Sequence, residues 1–167
     1  MNVWIWSDPH FGHHKIIEYE NRPPKFADLI VERHNAVVRP DDLSICLGDV
    51  VIGNNGIWYS YFSKMNGEHV LCRGNHDSKS YRAYIDRGFV FACETFSWRY
   101  GGFNIIFSHW PLNESILKNY DLNIHGHCHA NKDDTLTDKH VLYAPELNQY
   151  TPIKLDTLLK GRSQPNG

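Results

Sequence analysis

The stretch "NVWIWSDPH" (residues 2–10) is an apolar run of strand length that stops at a carboxylate, Asp8, with an imidazole, His10, two positions on. Aromatic and β-branched side chains on both parities of residues 2–7 suit a strand covered on both faces. The same pattern recurs along the chain. "LSICLG" (43–48) runs into Asp49, and "HVLCRG" (69–74) runs into Asn75, His76 and Asp77. "FNIIFS" (103–108) leads to His109, and "DLNIHG" (121–126) leads to His127 and His129. In open α/β sheets the carboxyl ends of the strands face the ligand crevice. Five strand ends bearing carboxylate, amide or imidazole groups can therefore converge on one small volume.

Helical patterns fill the intervals. The strongest is "FADLIVERHNAVV" (26–38), where Phe26, Leu29, Ile30, Val37 and Val38 share a rough 3.6-residue period. Weaker helices are expected at 13–20, 56–65, 79–87 and 113–119. Residues 89–108 read as a β-hairpin turning at "YGG", and short strands are expected at 140–144 and 152–155. βα units followed by a strand-rich second half predict a layered α/β sandwich. No internal repeat or linker divides the chain, so residues 1–160 read as one domain and 161–167 as a frayed tail.

Composition narrows the classes. The 167 residues can bury a substantial core, and 17 basic against 19 acidic residues leave no basic excess for a nucleic-acid surface. No stable nucleic-acid complex is expected, though a small nucleotide substrate is allowed. The N-terminus lacks the basic and long apolar regions of a signal peptide, and no apolar run approaches a membrane span. The four cysteines form no CxxC pair and read as free thiols in a reducing compartment, so the expected location is the cytoplasm.

Taken singly, each of these ligands has an ordinary explanation. An Asp after a strand is usually a turn or capping residue, and "GNHD" alone can be an Asx turn. Five coincidences in one chain are harder to dismiss. The set is oxygen and imidazole nitrogen with no obligatory thiolate, which suits Mn, Fe, Zn, Ni or Co rather than Ca²⁺ or an iron–sulfur cluster. Two Asp, one Asn and four His are too many for one tetrahedral ion but serve two ions sharing a carboxylate, a recurring device in phosphoryl chemistry.

In these residues the chain resembles the calcineurin-like metallophosphoesterase superfamily. The motifs are D-x-H (Asp8, His10), G-D (Gly48, Asp49), G-N-H-D (Gly74 to Asp77), an isolated His109 and G-H-x-H (Gly126 to His129), in that order. "SDPHFGHHKII" and "NRP" are further similar to its small single-domain bacterial and phage members. The resemblance implies a four-layer αββα sandwich. It implies one ion on Asp8, His10, Asp49 and His129, and a second on Asp49, Asn75, His109 and His127, with Asp49 bridging and manganese the first expectation. By the same resemblance a bridging hydroxide attacks phosphorus in line and His76 protonates the leaving oxygen, with Asp77 helping to orient it. An imidazole titrates near neutral pH, which suits that role.

His13 and Arg73 are candidate substrate contacts; a helix cap and a solvated edge are their alternatives. Trp110 can stack on a nucleobase or simply pack. The first motif, "GDVVIG", lacks the phosphate-binding arginine of the protein-phosphatase branch, and the chain leaves little room for the capping domains of the nuclease branch. The resemblance thus implies a phosphodiesterase acting on a small nucleotide-like phosphoester, such as a cyclic nucleotide. The alternatives are a phosphatase of broad specificity and, less favoured because no ligand position is lost, a non-catalytic scaffold. Natural substrate and oligomeric state are not legible.

Overall fold

The computed structural model describes residues 1–52, 56–131 and 133–162. In chain order the elements are β1 (Val3–Trp6), α1 (Ile16–Tyr19), α2 (Phe26–Val37), β2 (Leu43–Cys46), α3 (Ile57–Phe62), β3 (Glu68–Cys72), α4 (Tyr81–Ile85), β4 (Phe89–Cys93), β5 (Thr95–Tyr100), β6 (Phe103–Ser108), α5 (Glu114–Leu117), β7 (Leu122–His125), β8 (His140–Leu142), a 3₁₀ turn (Glu146–Asn148), β9 (Ile153–Lys154) and α6 (Leu155–Leu159). The strands form one sheet of order β4-β3-β2-β1-β9 and a second of order β5-β6-β7-β8. The pairs β1–β2, β2–β3, β3–β4, β6–β7 and β7–β8 are parallel, whereas β9 and β5 join antiparallel at the edges.

The alternation of strand side chains accounts for the layering. Trp6 and Ser44 meet helix α2: the Trp6 ring lies 5.4 Å from that of His34, and His34 Nε2 lies 3.0 Å from Ser44 Oγ. On the opposite parity Ile5 pairs with Ile45, and both join the buried cluster that holds Ile105, Phe107 and Ile124 of the second sheet. Two mostly parallel sheets flanked by helices give the layered α/β sandwich read from the sequence pattern and the four-layer αββα arrangement that the resemblance implies. Helix α2 forms because Phe26, Ile30 and His34 recur every four residues along one buried stripe. It stops at Val37, and Pro40 prevents its continuation.

The stretch 89–108 is divided rather than forming a single hairpin. Residues 89–93 return through α4 and add parallel to β3 in the first sheet, as a βα unit must. Only β5 and β6 form the hairpin, which turns at Gly101 and Gly102, with φ of 58° and 86°. The helix over 155–159, not anticipated, buries Leu155 and Leu159 one turn apart. The weaker helices are shorter than their sequence patterns. From residue 163 onward the expected tail lies outside the described residues, as does Gly53 of "GDVVIG". The described cysteines are all free. No helix among the described residues is long and apolar enough to cross a membrane.

Candidate metal centre

Every expected ligand leaves the carboxyl end of a parallel strand: Asp8 and His10 after β1, Asp49 after β2, Asn75 after β3, His109 after β6, His127 and His129 after β7. Pairing continues past the strands and holds these exits in register. Asp8 N–H donates to Gly48 O (3.0 Å), and His10 N–H donates to Asp49 O (3.0 Å). Three bonds then stitch the loops together. His127 N–H donates to Asp8 Oδ2 (3.0 Å), His76 N–H to Asp49 Oδ1 (2.9 Å), and His109 Nδ1–H to Leu47 O (2.8 Å).

The backbone is held in an uncommon conformation at these positions. Asp8, His10, Asp49, His127 and His129 all have positive φ, between 48° and 66°. Non-glycine residues rarely adopt this region, and where they do it marks sites that the surrounding structure over-determines. Here it turns successive side chains inward at a strand exit.

The side-chain atoms meet as lone pairs. Because Leu47 O can only accept, His109 carries its proton on Nδ1, and neutral Nε2 offers a lone pair. That nitrogen lies 2.9 Å from Asn75 Oδ1, 3.1 Å from His127 Nδ1 and 3.5 Å from Asp49 Oδ2. Alongside, His10 Nε2 lies 3.7 Å from Asp8 Oδ1 and 3.6 Å from Asp49 Oδ2, and His129 Nε2 lies 4.0 Å from Asp8 Oδ1. Asp8 Oδ1 and both His10 nitrogens are buried without a hydrogen-bond partner. Ligand atoms each ~2.1 Å from one ion sit roughly 3–3.5 Å apart, close to these spacings. Two groups could each hold a metal ion, Asp8–His10–His129 and Asp49–His109–His127. Asp49 Oδ2 lies within 3.6 Å of nitrogens from both. Buried acceptors facing one another without donors call for a cation, so the residues fit divalent metal binding.

Charge follows the same logic. Burial works against ionising Asp8, yet His10, His109 and His129 together hold its carboxyl well below the usual range. Burial lowers the His10 pKa, and burial with His109 lowers that of His127, which favours the neutral, ligating form of each. His129 is raised: burial opposes protonation, but Glu146 and Asp8 outweigh it.

The remaining expected residues are placed as follows. His76 is half exposed, with Nε2 3.9 Å from Asp49 Oδ2 and its ring 5.6 Å from that of His10, so it faces the site from outside. Asp77 is buried and accepts from the main-chain N–H groups of Val50, Val51 and Gly74 and from the Tyr84 hydroxyl. These bonds bypass the His76 ring and instead lock the two loops together; burial pushes the Asp77 carboxyl up to about 6. His13 sits 5.7 Å from His10 and caps no helix through its side chain. Arg73 is committed to Glu94 and Lys79 O and lies over the Tyr81 ring, at the edge of a cleft of roughly 350 Å³ that includes Asn75 and Trp110. Trp110, 48% exposed, packs one side on His127 at 3.6 Å. His125 is wholly buried in β7.

Two residues outside the five ligand motifs, Arg22 and Glu146, abut the centre. Arg22 is buried, donates to Glu146 Oε1 (2.7 Å), Asp8 O (2.8 Å) and Pro9 O (3.1 Å), and so bridges the β1 exit to the 3₁₀ turn. Glu146 has no sequence signal beyond a charge beside a proline ("APEL"), whereas Arg22 lies in the "NRP" that carries part of the resemblance, with no role attached to it there.

The glycines of the motifs are spacers. A Cβ on Gly74 would collide with the Asp49 main-chain nitrogen and carboxylate oxygen. Gly74→Ala is therefore expected to displace Asp49, abolishing tight uptake of at least one metal equivalent, and to cost about 1–3 kcal/mol from overpacking. Equilibrium dialysis and urea unfolding check both effects, and wild-type metal uptake by the variant would contradict the spacer role.

The sequence model of the calcineurin-like phosphoesterases matches residues 1–162. The uncharacterized protein MJ1445 of Methanocaldococcus jannaschii is 30% identical over 170 residues, covering 95% of this chain and 89% of that protein. Among solved structures, AQ665 from Aquifex aeolicus, a protein of unknown function, superimposes with a TM-score of 0.83 at 24% identity, covering 95% of this chain and 98% of that one. An archaeal phosphodiesterase superimposes with a TM-score of 0.48 at 20% identity, over 87% of this chain and 83% of that one.

Proposed function

Because the chain belongs to the calcineurin-like phosphoesterase family, a family of metal-dependent phosphoric ester hydrolases, we propose that it cleaves phosphodiester bonds of a small nucleotide-like substrate. Two divalent ions, manganese first, would be held by Asp8, His10, Asp49 and His129 and by Asp49, Asn75, His109 and His127. The observation that carries this reading is Asp49 Oδ2, set between two groups of buried, lone-pair-bearing atoms. Bound divalent ions would supply an acidified nucleophilic water and neutralise charge on the phosphoryl oxygens.

The protein's own groups do the rest. Asp49 is oriented by the His76 N–H, so the residue that presents one carboxylate oxygen to the centre also fixes the loop carrying the general acid. His76, exposed on the open side with Nε2 3.9 Å from Asp49 Oδ2, would give a proton to the departing oxygen. The neighbouring arginines favour a diester over a monoester. Arg22 is buried on Glu146 and main-chain carbonyls, and Arg73 is paired with Glu94, so neither guanidinium is left to meet the second charge of a monoester. Clefts of roughly 350 and 500 Å³ flank Trp110 and leave the approach open.

The test is a panel of aryl phosphodiesters and phosphomonoesters with Mn²⁺, before and after chelation. We expect diester hydrolysis that disappears with chelator and returns with Mn²⁺. Monoesters turned over faster would favour the phosphatase alternative, and no turnover of either with any divalent ion would favour a scaffold. His76→Ala is expected to slow an alkyl diester by about 10²–10⁴-fold and a nitrophenyl diester much less, because only the poor leaving group needs the proton. Equal losses on both would remove His76 as general acid.

A further inference from the structure

We propose that Glu146, fixed by the buried guanidinium of Arg22, is a positioning residue that steers His129 so that its Nε2 faces Asp8, making Arg22–Glu146–His129 the buttress of one half of the metal centre. The inference rests on the metal-centre reading above and goes beyond it, since neither Arg22 nor Glu146 belongs to the ligand set.

The geometry is asymmetric in an informative way. Glu146 Oε1 receives both Arg22 Nε and Nη2 at 2.7 Å, so that oxygen is saturated. Glu146 Oε2 is buried without a hydrogen-bond partner and faces His129 Nδ1 at 3.5 Å, which also lacks one. The opposite ring nitrogen, Nε2, is the one directed at Asp8 Oδ1, 4.0 Å away. A carboxylate on Nδ1 selects the tautomer with the proton there and leaves Nε2 free to ligate, the arrangement that commonly orients metal-bound imidazoles.

Arg22 makes the buttress rigid. Its Nη1 and Nη2 donate to Pro9 O and Asp8 O, so one side chain holds the exit that carries Asp8 and His10 and, through Glu146, the loop that carries His129. The two loops come from different sheets. A buried ion pair adds little net stability compared with apolar packing of the same volume. Its value here lies in orientation.

Glu20, His129 and Glu146 also lie close enough to suggest a third ion. The Arg22 guanidinium argues against it, because Glu146 is already neutralised and an added cation would sit against a fixed positive charge.

The test is equilibrium dialysis of the full chain with Mn²⁺, comparing wild type, Glu146→Gln, Arg22→Lys and His129→Ala. We expect two equivalents in wild type. In Glu146→Gln one equivalent should keep its affinity while the other weakens about 10–100-fold, short of its loss in His129→Ala; Arg22→Lys should weaken the same equivalent. Glu146→Gln retaining both affinities within twofold overturns the buttress, as does a third equivalent in wild type that Glu146→Gln removes. Fewer than two equivalents in wild type overturns the dinuclear reading itself. Should Glu146→Gln not fold, imidazole ¹⁵N NMR of Zn²⁺-loaded wild type decides. His129 is expected to carry its proton on Nδ1, and a proton on Nε2 overturns the proposal.

Discussion

Asp49→Asn is expected to lower phosphodiester turnover by at least about 10³-fold while leaving the fold intact. The substitution keeps size and shape, and an amide oxygen can still accept the His76 N–H bond that Asp49 Oδ1 now receives at 2.9 Å. What it removes is the charge and the lone pairs of Oδ2, the atom 3.6 Å from His10 Nε2 and 3.5 Å from His109 Nε2. A neutral amide cannot be shared between two cations with both lone-pair sets and a full negative charge. Loss of the several kcal/mol that paired ions contribute to charge stabilisation corresponds to about three orders of magnitude in rate. Steady-state kinetics under saturating Mn²⁺, with metal content measured on the same samples, separates the cases. A variant that binds two equivalents and turns over at the wild-type rate would sink the bridging role. A variant that loses metal and activity together, with a melting temperature in chelator unchanged from wild type, supports it. Because Asp49 also anchors the loop of His76, the effect should exceed that of His76→Ala on a nitrophenyl diester.

The strand-end ligands were legible in the sequence because two local signals coincide there. Apolar runs such as 43–48 and 103–108 need only their own composition to read as buried strands, and the type of residue that follows each is visible without knowing the fold. Parallel strands then bring those ends together by topology alone. Other features depend on distant partners. The left-handed backbone at Asp8, His10, Asp49, His127 and His129 falls on residue types that tolerate it better than most, but it is accompanied by cross-loop bonds such as His127 N–H to Asp8 Oδ2, 119 residues apart, which the local sequence does not show. Arg22 and Glu146, 124 residues apart, look like surface charges until folding buries one against the other. The transfer of residues 89–93 to the first sheet was likewise invisible, because apolar alternation does not tell which sheet a strand will join. Asp77 shows a third kind of difference. The motif marks it, yet its bonds to Val50, Val51 and Gly74 make it the staple between two ligand loops, away from the His76 ring.

The metal-free protein is expected to lose about 4 kcal/mol of stability between pH 7.5 and pH 5 through two histidines outside the candidate ligand set. His34 and His69 lie between helix α2 and the first sheet, at 0% and 3% exposure. Their rings stack at 5.5 Å, Trp6 packs edgewise on both, and Phe62 covers His69 at 4.7 Å. Burial, reinforced by His69, pushes His34 down to about 3, and burial pushes His69 down to about 4, from an ordinary value of 6.5. The unfolded chain therefore takes up protons near pH 6.5 while the folded chain refuses them. The stabilisation is fully present above pH 6.5 and is lost as pH falls toward the folded values. At pH 5 each histidine lies about 1.5 units below its unfolded pKa, and at 1.36 kcal/mol per unit each contributes a loss of about 2 kcal/mol. Against a typical domain stability of about 5–15 kcal/mol, that loss is large. Urea unfolding at the two pH values, with chelator throughout, measures the drop. His69→Leu isolates the cause: the ring packs among Trp6, His34, Phe62 and Phe89, and its polar contact is with the Met65 main chain. The variant should lose about 2 kcal/mol less than wild type over the same interval. The groups of the metal centre titrate in both proteins and cancel in that difference, including His129, whose raised pKa acts with the opposite sign. If the variant shows the full wild-type drop, the acid sensitivity resides in other groups, buried His125 or those of the metal centre, and the buried histidine pair is merely packed.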